Sequence, residues 1–248
     1  MTDKPLNGNS AFYDTKWTEW NEMVRYSPAA RLRRSKIISW MKRLDLSSLL
    51  DLGCGNGEFL KEVCALMPDI KLTGADISVS VIESNRSSMP GVSFYTLDLN
   101  RDALPGRFEA VVCMEVVEHC ENYRETIKKL SAMSKKWLFI TVPCGPLFEI
   151  DRRAGHVRHF TAQEIKSALE DCGFMPVKLE CWGFPFFNLY KHAINISPDK
   201  ISNIFLSTQK YRIWQRIFVA ITYFLFKLSQ PWLGYQLFVM ASRCNNKP

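Results

Sequence analysis

Short apolar runs alternate with segments of helical periodicity along most of this chain. The run Leu49-Leu50 ends in Asp51-Leu52 and reads as a buried strand. Residues 58–67 then carry Phe59, Leu60, Val63, Leu66 and Met67 at the spacing of one helix face. A second strand ends at Asp76 and precedes a helix over 79–86. Further strands are expected at 92–97, 108–114 and 137–143, a sixth before Trp182, and a last one over 232–242. Ser27-Pro28 marks a helix start, with Pro at the first helical position. Thr161-Ala-Gln-Glu164 is a capping box that opens a helix running to Cys172-Gly173. The alternation predicts an α/β fold, a doubly wound and mostly parallel seven-stranded sheet with one antiparallel strand near its edge.

The candidate chemistry sits at the ends of these strands. Between the first strand and its helix lies Gly53-Cys54-Gly55-Asn56-Gly57, a turn with little side-chain bulk. Its G-x-G-x-G spacing differs from the dinucleotide fingerprint, which seats a pyrophosphate on a helix N-terminus. Asp51, two residues upstream, would repel a pyrophosphate and suits a cation. Asp76 follows Gly55 by 21 residues, about where ribose hydroxyls find an acidic partner. Asp98 ends the third strand, and Glu115-Val116-Val117-Glu118-His119 follows the fourth. Acids at the carboxyl ends of successive parallel strands line a ligand crevice.

In this set of motifs the chain resembles the class I S-adenosylmethionine-dependent methyltransferases, and among them the ubiquinone-biosynthesis O-methyltransferases. The resemblance covers roughly residues 45 to 185 and the last strand. It implies S-adenosyl-L-methionine across residues 53–57, with Asp76 on the ribose and Asp98 near the adenine amine. The implied contact set is Arg33, Asp51, Gly53, Cys54, Gly55, Asp76, Ile77, Asp98, Leu99 and Met114. Arg33 lies 18 residues before Asp51, where a family member places an arginine that reaches the cofactor; Arg31 is an equal candidate by position.

Glu115-x-x-Glu118-His119 invites two readings. If the chain is helical after Met114, Glu115 shares a face with Glu118 and His119. Two carboxylates and an imidazole there could hold Mg²⁺ or Mn²⁺ with positions open for an acceptor hydroxyl. Similar segments occur in the ubiquinone-type enzymes and in small-RNA 2′-O-methyltransferases. The other reading is that the acid and the histidine organise a strand-to-helix turn. Downstream, His156 and His159 fall on the loop after the fifth strand, at the ligand end of the sheet. His156 is the candidate base, because an imidazole of ordinary pKa is neutral at pH 7; His159, just before the helix cap, anchors the loop. Glu118, His119 and His156 are thus the expected catalytic set.

Charge changes the picture mainly at the C-terminus. The 248-residue chain carries a formal net charge of +7. Residues 186–248 hold eight Lys and Arg against the single Asp199, so this region accounts for the whole surplus. It contains an amphipathic segment over 210–228. Ile213, Trp214, Ile217, Phe218, Ile221, Phe224, Leu225 and Leu228 share one wide face, flanked by Arg212, Arg216 and Lys227. Such a helix packs on its own domain, pairs with a second subunit, or lies on an anionic membrane. It is too short and too interrupted to span one. The aromatic stretch Trp182-Gly183-Phe184-Pro185-Phe186-Phe187 walls an acceptor pocket or seats this helix.

The expected organisation is a helical cap over residues 1–46 and a methyltransferase domain over 47–248 with a helical insertion at about 186–230. Eight cysteines without C-x-x-C spacing and a polar start favour a cytoplasmic protein, or one peripheral to the inner face of the membrane. The expected reaction is methylation of an oxygen on a small-molecule, lipid-linked or glycan acceptor. The alternatives are an RNA 2′-O-methyltransferase and a non-catalytic S-adenosylmethionine-binding protein. The lack of a recognisable RNA-binding module disfavours nucleic acid as partner.

Overall fold

A computed structural model describes residues 8–205 and 210–244, without the side chains of 8–12, 18, 19, 21 and 202. The start of the expected cap, residues 206–209 of the insertion and Lys247 lie outside the described residues. Two helices, α1 (Gly8–Tyr26) and α2 (Pro28–Met41), precede the sheet. The chain then alternates through β1 (Ser48–Leu52), α3 (Glu58–Leu66), β2 (Lys71–Asp76), α4 (Val79–Ser88), β3 (Ser93–Thr96) and β4 (Phe108–Met114). After it come α5 (Tyr123–Met133), β5 (Ser134–Pro143), α6 (Glu149–Arg153), α7 (Ala162–Glu170) and β6 (Phe174–Trp182). Three helices, α8 (Phe186–Ile196), α9 (Pro198–Phe205) and α10 (Ile213–Lys227), lead into β7 (Gln236–Arg243).

The sheet runs β3-β2-β1-β4-β5-β7-β6, with β7 antiparallel to both neighbours, as the sequence pattern predicts. Strand order reverses around β1: one path leads to β2 and β3, the other to β4 and β5. A ligand crevice forms at such a switch point. Register places Asp51 beside Gly74 and Val112, so the ends of β1, β2 and β4 open into one space. The apolar runs are continuous because both sheet faces are covered. Ile127 and Leu130 of α5 and Ile165 and Leu169 of α7 close one face; Ile37 and Met41 of α2 and Leu60 and Val63 of α3 close the other.

Local chemistry fixes the helix starts. The Ser78 hydroxyl accepts from Val81 N, and Asn122 Oδ1 accepts from Arg124 N and Glu125 N. Thr161 and Glu164 form the expected reciprocal box. The last strand begins at Gln236 rather than 232, because Trp232 and Leu233 are exposed in the connection before it.

The C-terminal helix turns its narrow side inward. The inner face of α10 is Gln215, Val219, Thr222 and Phe226, while the wide apolar face points outward. Two polar residues can face inward because they are satisfied there. Gln215 accepts from Arg212 N at 2.7 Å and donates to Ile204 O at 2.7 Å; Thr222 donates to Phe218 O at 2.8 Å. Phe226 packs edge-on to Trp182, Phe187 and Tyr190. The aromatic stretch after β6 therefore seats α10, and full burial of one such ring contributes about 2–3 kcal/mol.

Candidate functional site

The glycine turn after β1 is shaped by close approach. Gly53 and Gly55 adopt positive φ, at 76° and 48°. A Cβ on Gly53 would sit 2.2 Å from Val116 Cγ2, and one on Gly55 would sit 2.1 Å from Trp17 Cη2. Gly53 N and Cys54 N both donate to Ala75 O. Gly55 N donates to Asp76 Oδ2 at 2.8 Å, and Ser78 N donates to Asp76 Oδ1 at 3.0 Å. With the Ile77 amide, three backbone donors hold the Asp76 carboxyl and leave part of its lone-pair capacity for a ligand. Asn85 Nδ2 donates to Gly55 O at 2.7 Å, tying α4 to the turn.

Above the turn lies a cavity of about 850 Å³. Of the residues expected from sequence, it brings together Arg33, Asp51, Gly53, Cys54, Asp76, Ile77, Asp98, Leu99, Met114, Glu115, His119 and His156. Gly55 lies beneath the Trp17 ring, and Glu118 is buried beside the wall. Burial, with Asp76 nearby, pushes the Asp51 carboxyl up to about 8. Burial also raises Asp76, against the pull of the Ser78, Gly55 and Ile77 amides. Two such carboxyls on one wall fit a ligand that brings a cation and hydroxyl donors.

This has a consequence for stability. A carboxyl near 8 in the fold and 3.8 unfolded favours the folded state fully only below the unfolded value. That contribution is lost as pH rises toward 8. The ligand-free protein is expected to lose on the order of 2–4 kcal/mol between pH 5 and 8. Thermal denaturation across this range checks it, with Asp51→Asn expected to flatten the slope. Equal slopes in the two proteins would show that Asp51 does not titrate there.

Helix α1 covers the crevice. Tyr13, Trp17 and Trp20 line the cavity. Asp14 anchors the helix: its Oδ1 accepts from Ser78 Oγ, from Ser80 Oγ at 2.9 Å and from Ser80 N at 3.2 Å. Its slight burial is outweighed by these bonds, which hold its carboxyl below the ordinary range. A carboxylate at the start of α4 also suits the helix dipole.

Glu115 does not share a helical face with Glu118 and His119. It has φ 58°, a left-handed conformation uncommon outside glycine, and only Val117–His119 form a short 3-10 turn. Its Oε1 instead accepts from Thr141 Oγ1 at 2.9 Å and Gln236 Nε2 at 2.8 Å, and its Oε2 lies 3.4 Å from Arg33 Nη1. Burial opposes its ionisation, but Arg33, His156 and these bonds hold the carboxyl below its usual range. Arg31 stacks on Tyr223 at 4.2 Å, which separates it from Arg33.

The side chains that converge here differ from the expected set of Glu115, Glu118 and His119. Among the described residues, ligand atoms of Glu118, His119 and His156 lie within 4.8 Å of one another, and so do those of Asp151, His156 and His159. Glu118 is 0% exposed and neither carboxylate oxygen meets a hydrogen-bond donor. Burial, then Glu115, drive its pKa well up. The orphaned carboxylate fits a divalent cation, which would replace the missing donors.

The histidines are oriented for such a role. His119 Nδ1 lies 3.0 Å from Gly155 O, which can only accept, so Nδ1 carries the proton and Nε2 is free. His159 Nδ1 likewise donates to Gly145 O at 3.3 Å. His159 Nε2 then accepts from His156 Nδ1 at 3.3 Å, leaving the lone pair of His156 Nε2 free. Burial, with His119 alongside, depresses His156 to about 3. Asp151 is ion-paired with Lys191, and its Oδ2 lies 3.6 Å from His159 Nε2.

Sequence reasoning gave no role to Asp14, Asn85, Thr141, Asp151 or Gln236. Each acts through a partner far along the chain, and only the acid within the aromatic-rich α1 was a local signal.

Residues 26–179 match the family described as a methyltransferase domain. The ubiquinone biosynthesis O-methyltransferase of Coxiella burnetii is 30% identical over 146 residues, 55% of this chain and 58% of that protein. The pavine N-methyltransferase of Thalictrum flavum is 24% identical over 155 residues, 60% of this chain and 42% of that one. The chain thus spans about half the length of the curated relatives it matches. Among solved structures, the N-methyltransferase NodS from Bradyrhizobium japonicum, with S-adenosyl-L-homocysteine, superposes with a TM-score of 0.61 at 16% identity, over 96% of this chain and 99% of that one. With the fold, the glycine turn and the family match in agreement, the chain belongs to the class I S-adenosylmethionine-dependent methyltransferases.

Proposed function

We propose that this protein transfers a methyl group from S-adenosylmethionine to a hydroxyl oxygen of a small-molecule, lipid-linked or glycan acceptor. The observation that carries this is the group of Glu118, His119 and His156 at the cavity. An acceptor hydroxyl must be aligned with the methyl group and must also give up its proton, to a base or under the pull of an ion. A buried carboxylate without donors and two neutral imidazoles supply that function.

The cofactor supplies an activated methyl group on a sulfonium. Asp76 would hold the ribose through its spare lone pairs, and Asp98 the adenine edge. Asp51 would face the cationic end and Arg33 the carboxylate. His156 would take the acceptor proton at Nε2, with His159 and Asp151 fixing its ring. With a divalent cation bound, Glu118, His119 and the same His156 Nε2 would instead hold Mg²⁺ or Mn²⁺, which would acidify the acceptor hydroxyl in place of the base and let its proton pass to solvent.

The test is transfer of labelled methyl into a cell extract, with products read by mass spectrometry. Chelator is expected to lower transfer by about 100-fold or more, with Mg²⁺ or Mn²⁺ restoring it. Full transfer in chelator would remove the metal, and label on nitrogen would overturn the oxygen assignment. Label on RNA, with affinity falling steeply in salt, would replace these acceptors by a nucleic acid.

A further inference from the structure

The face of α10 that the sequence marks as apolar is uncovered. From Ile213 at 78% exposure to Phe218 at 45%, its large side chains stand in solvent, and Trp232 beyond the helix is 71% exposed. Scattered apolar side chains are normal on a surface, but a contiguous aromatic and branched face marks an interaction site.

The charge around it narrows the partner. Arg212, Arg216 and Lys227 are exposed along α10, and Arg216 and Lys227 lie over Tyr26 and Tyr223 on the flank shared with Arg31. The helix has no acidic residue. Asp199, the only acid in residues 186–248, pairs with Arg153, and Glu22 accepts from Tyr211 N. A two-fold dimer over this face would set these cations near their own copies without counter-charges. Nucleic acid would answer the charge but leave the apolar face in water. An anionic bilayer answers both, and exposed tryptophans suit its interface.

The face also continues into the site. Phe218 is part of the exposed surface and of the cavity wall, together with Phe205, Tyr211 and Val219. No helix among the described residues is long and apolar enough to cross a membrane, so contact would be from one side.

We propose that the outer face of α10, with the adjoining segment through Trp232, docks on an anionic lipid bilayer and sets the Phe218 side of the cavity against it. That the acceptor is drawn from this bilayer rests on the methyltransferase reading above; the docking does not, and its test uses neither cofactor nor acceptor.

The whole protein is floated with vesicles of phosphatidylcholine containing about 30% phosphatidylglycerol, and with phosphatidylcholine alone. Binding is expected to the anionic vesicles at about 50 mM salt and to fall by about tenfold at 500 mM. Ile221→Ser with Phe224→Ser, on the solvent side and away from the cavity, is expected to lower binding by about tenfold. Arg216→Gln with Lys227→Gln is expected to weaken it similarly and reduce the salt dependence. No binding at low salt would overturn the proposal, and so would binding that neither pair of substitutions alters. Loss of a dimer in the Ile221/Phe224 variant by sedimentation, without vesicle binding, would assign the face to a second copy.

Discussion

Glu118→Gln is expected to lower methyl transfer by about 100-fold to 10,000-fold while leaving cofactor affinity unchanged. The reason is the carboxylate's setting. It is fully buried, lacks donors and lies beside two imidazoles whose free nitrogens face the same space. The amide keeps the shape but removes the charge that would ligate a cation or favour a departing proton. The thermal midpoint should stay within about 3 °C, because burial already holds the Glu118 carboxyl neutral in the ligand-free protein and the amide keeps its shape. Isothermal titration with S-adenosylhomocysteine and an activity assay separate the two effects. Normal turnover by the variant would leave Glu118 as a turn-forming residue only.

Asp76→Ala should act in the opposite sense, on binding. Charge-assisted hydrogen bonds are worth about 1.5–3 kcal/mol each. Losing two ribose contacts therefore predicts at least about 100-fold weaker binding of S-adenosylhomocysteine. The substitution also frees Gly55 N and Ser78 N, which hold the turn. Asp76→Asn distinguishes these contributions, since its one carbonyl oxygen can keep one amide bond. Calorimetry showing unchanged affinity in Asp76→Ala would sink the ribose assignment.

These two acids illustrate what the sequence could reveal. The glycine turn, Asp51 and Asp76 were legible because strand, turn and acid are local features whose spacing repeats the geometry. The mostly parallel sheet with one antiparallel strand near its edge followed from the alternation of elements and the family resemblance. Glu115 was misplaced because its direction depends on a left-handed φ and on Thr141 and Gln236, the latter 121 positions away. The His156–His159 contact is close in sequence, but its link to Glu118 exists only once the loop after β5 folds over the 3-10 turn. The orientation of α10 was left open for a different reason. An amphipathic pattern shows which side is apolar, not which side is inside. Here the inward Gln215 and Thr222 bond to nearby backbone, so their polarity carries little penalty.

The indole of Trp17 over Gly55 adds a kinetic constraint. With α1 latched to the start of α4 by Asp14, a ligand on the turn lies behind a closed helix. Entry and exit would then share one gate, and weakening the latch would quicken both without greatly changing their ratio. Affinity would be written in the strand-end acids, and residence time in the first helix.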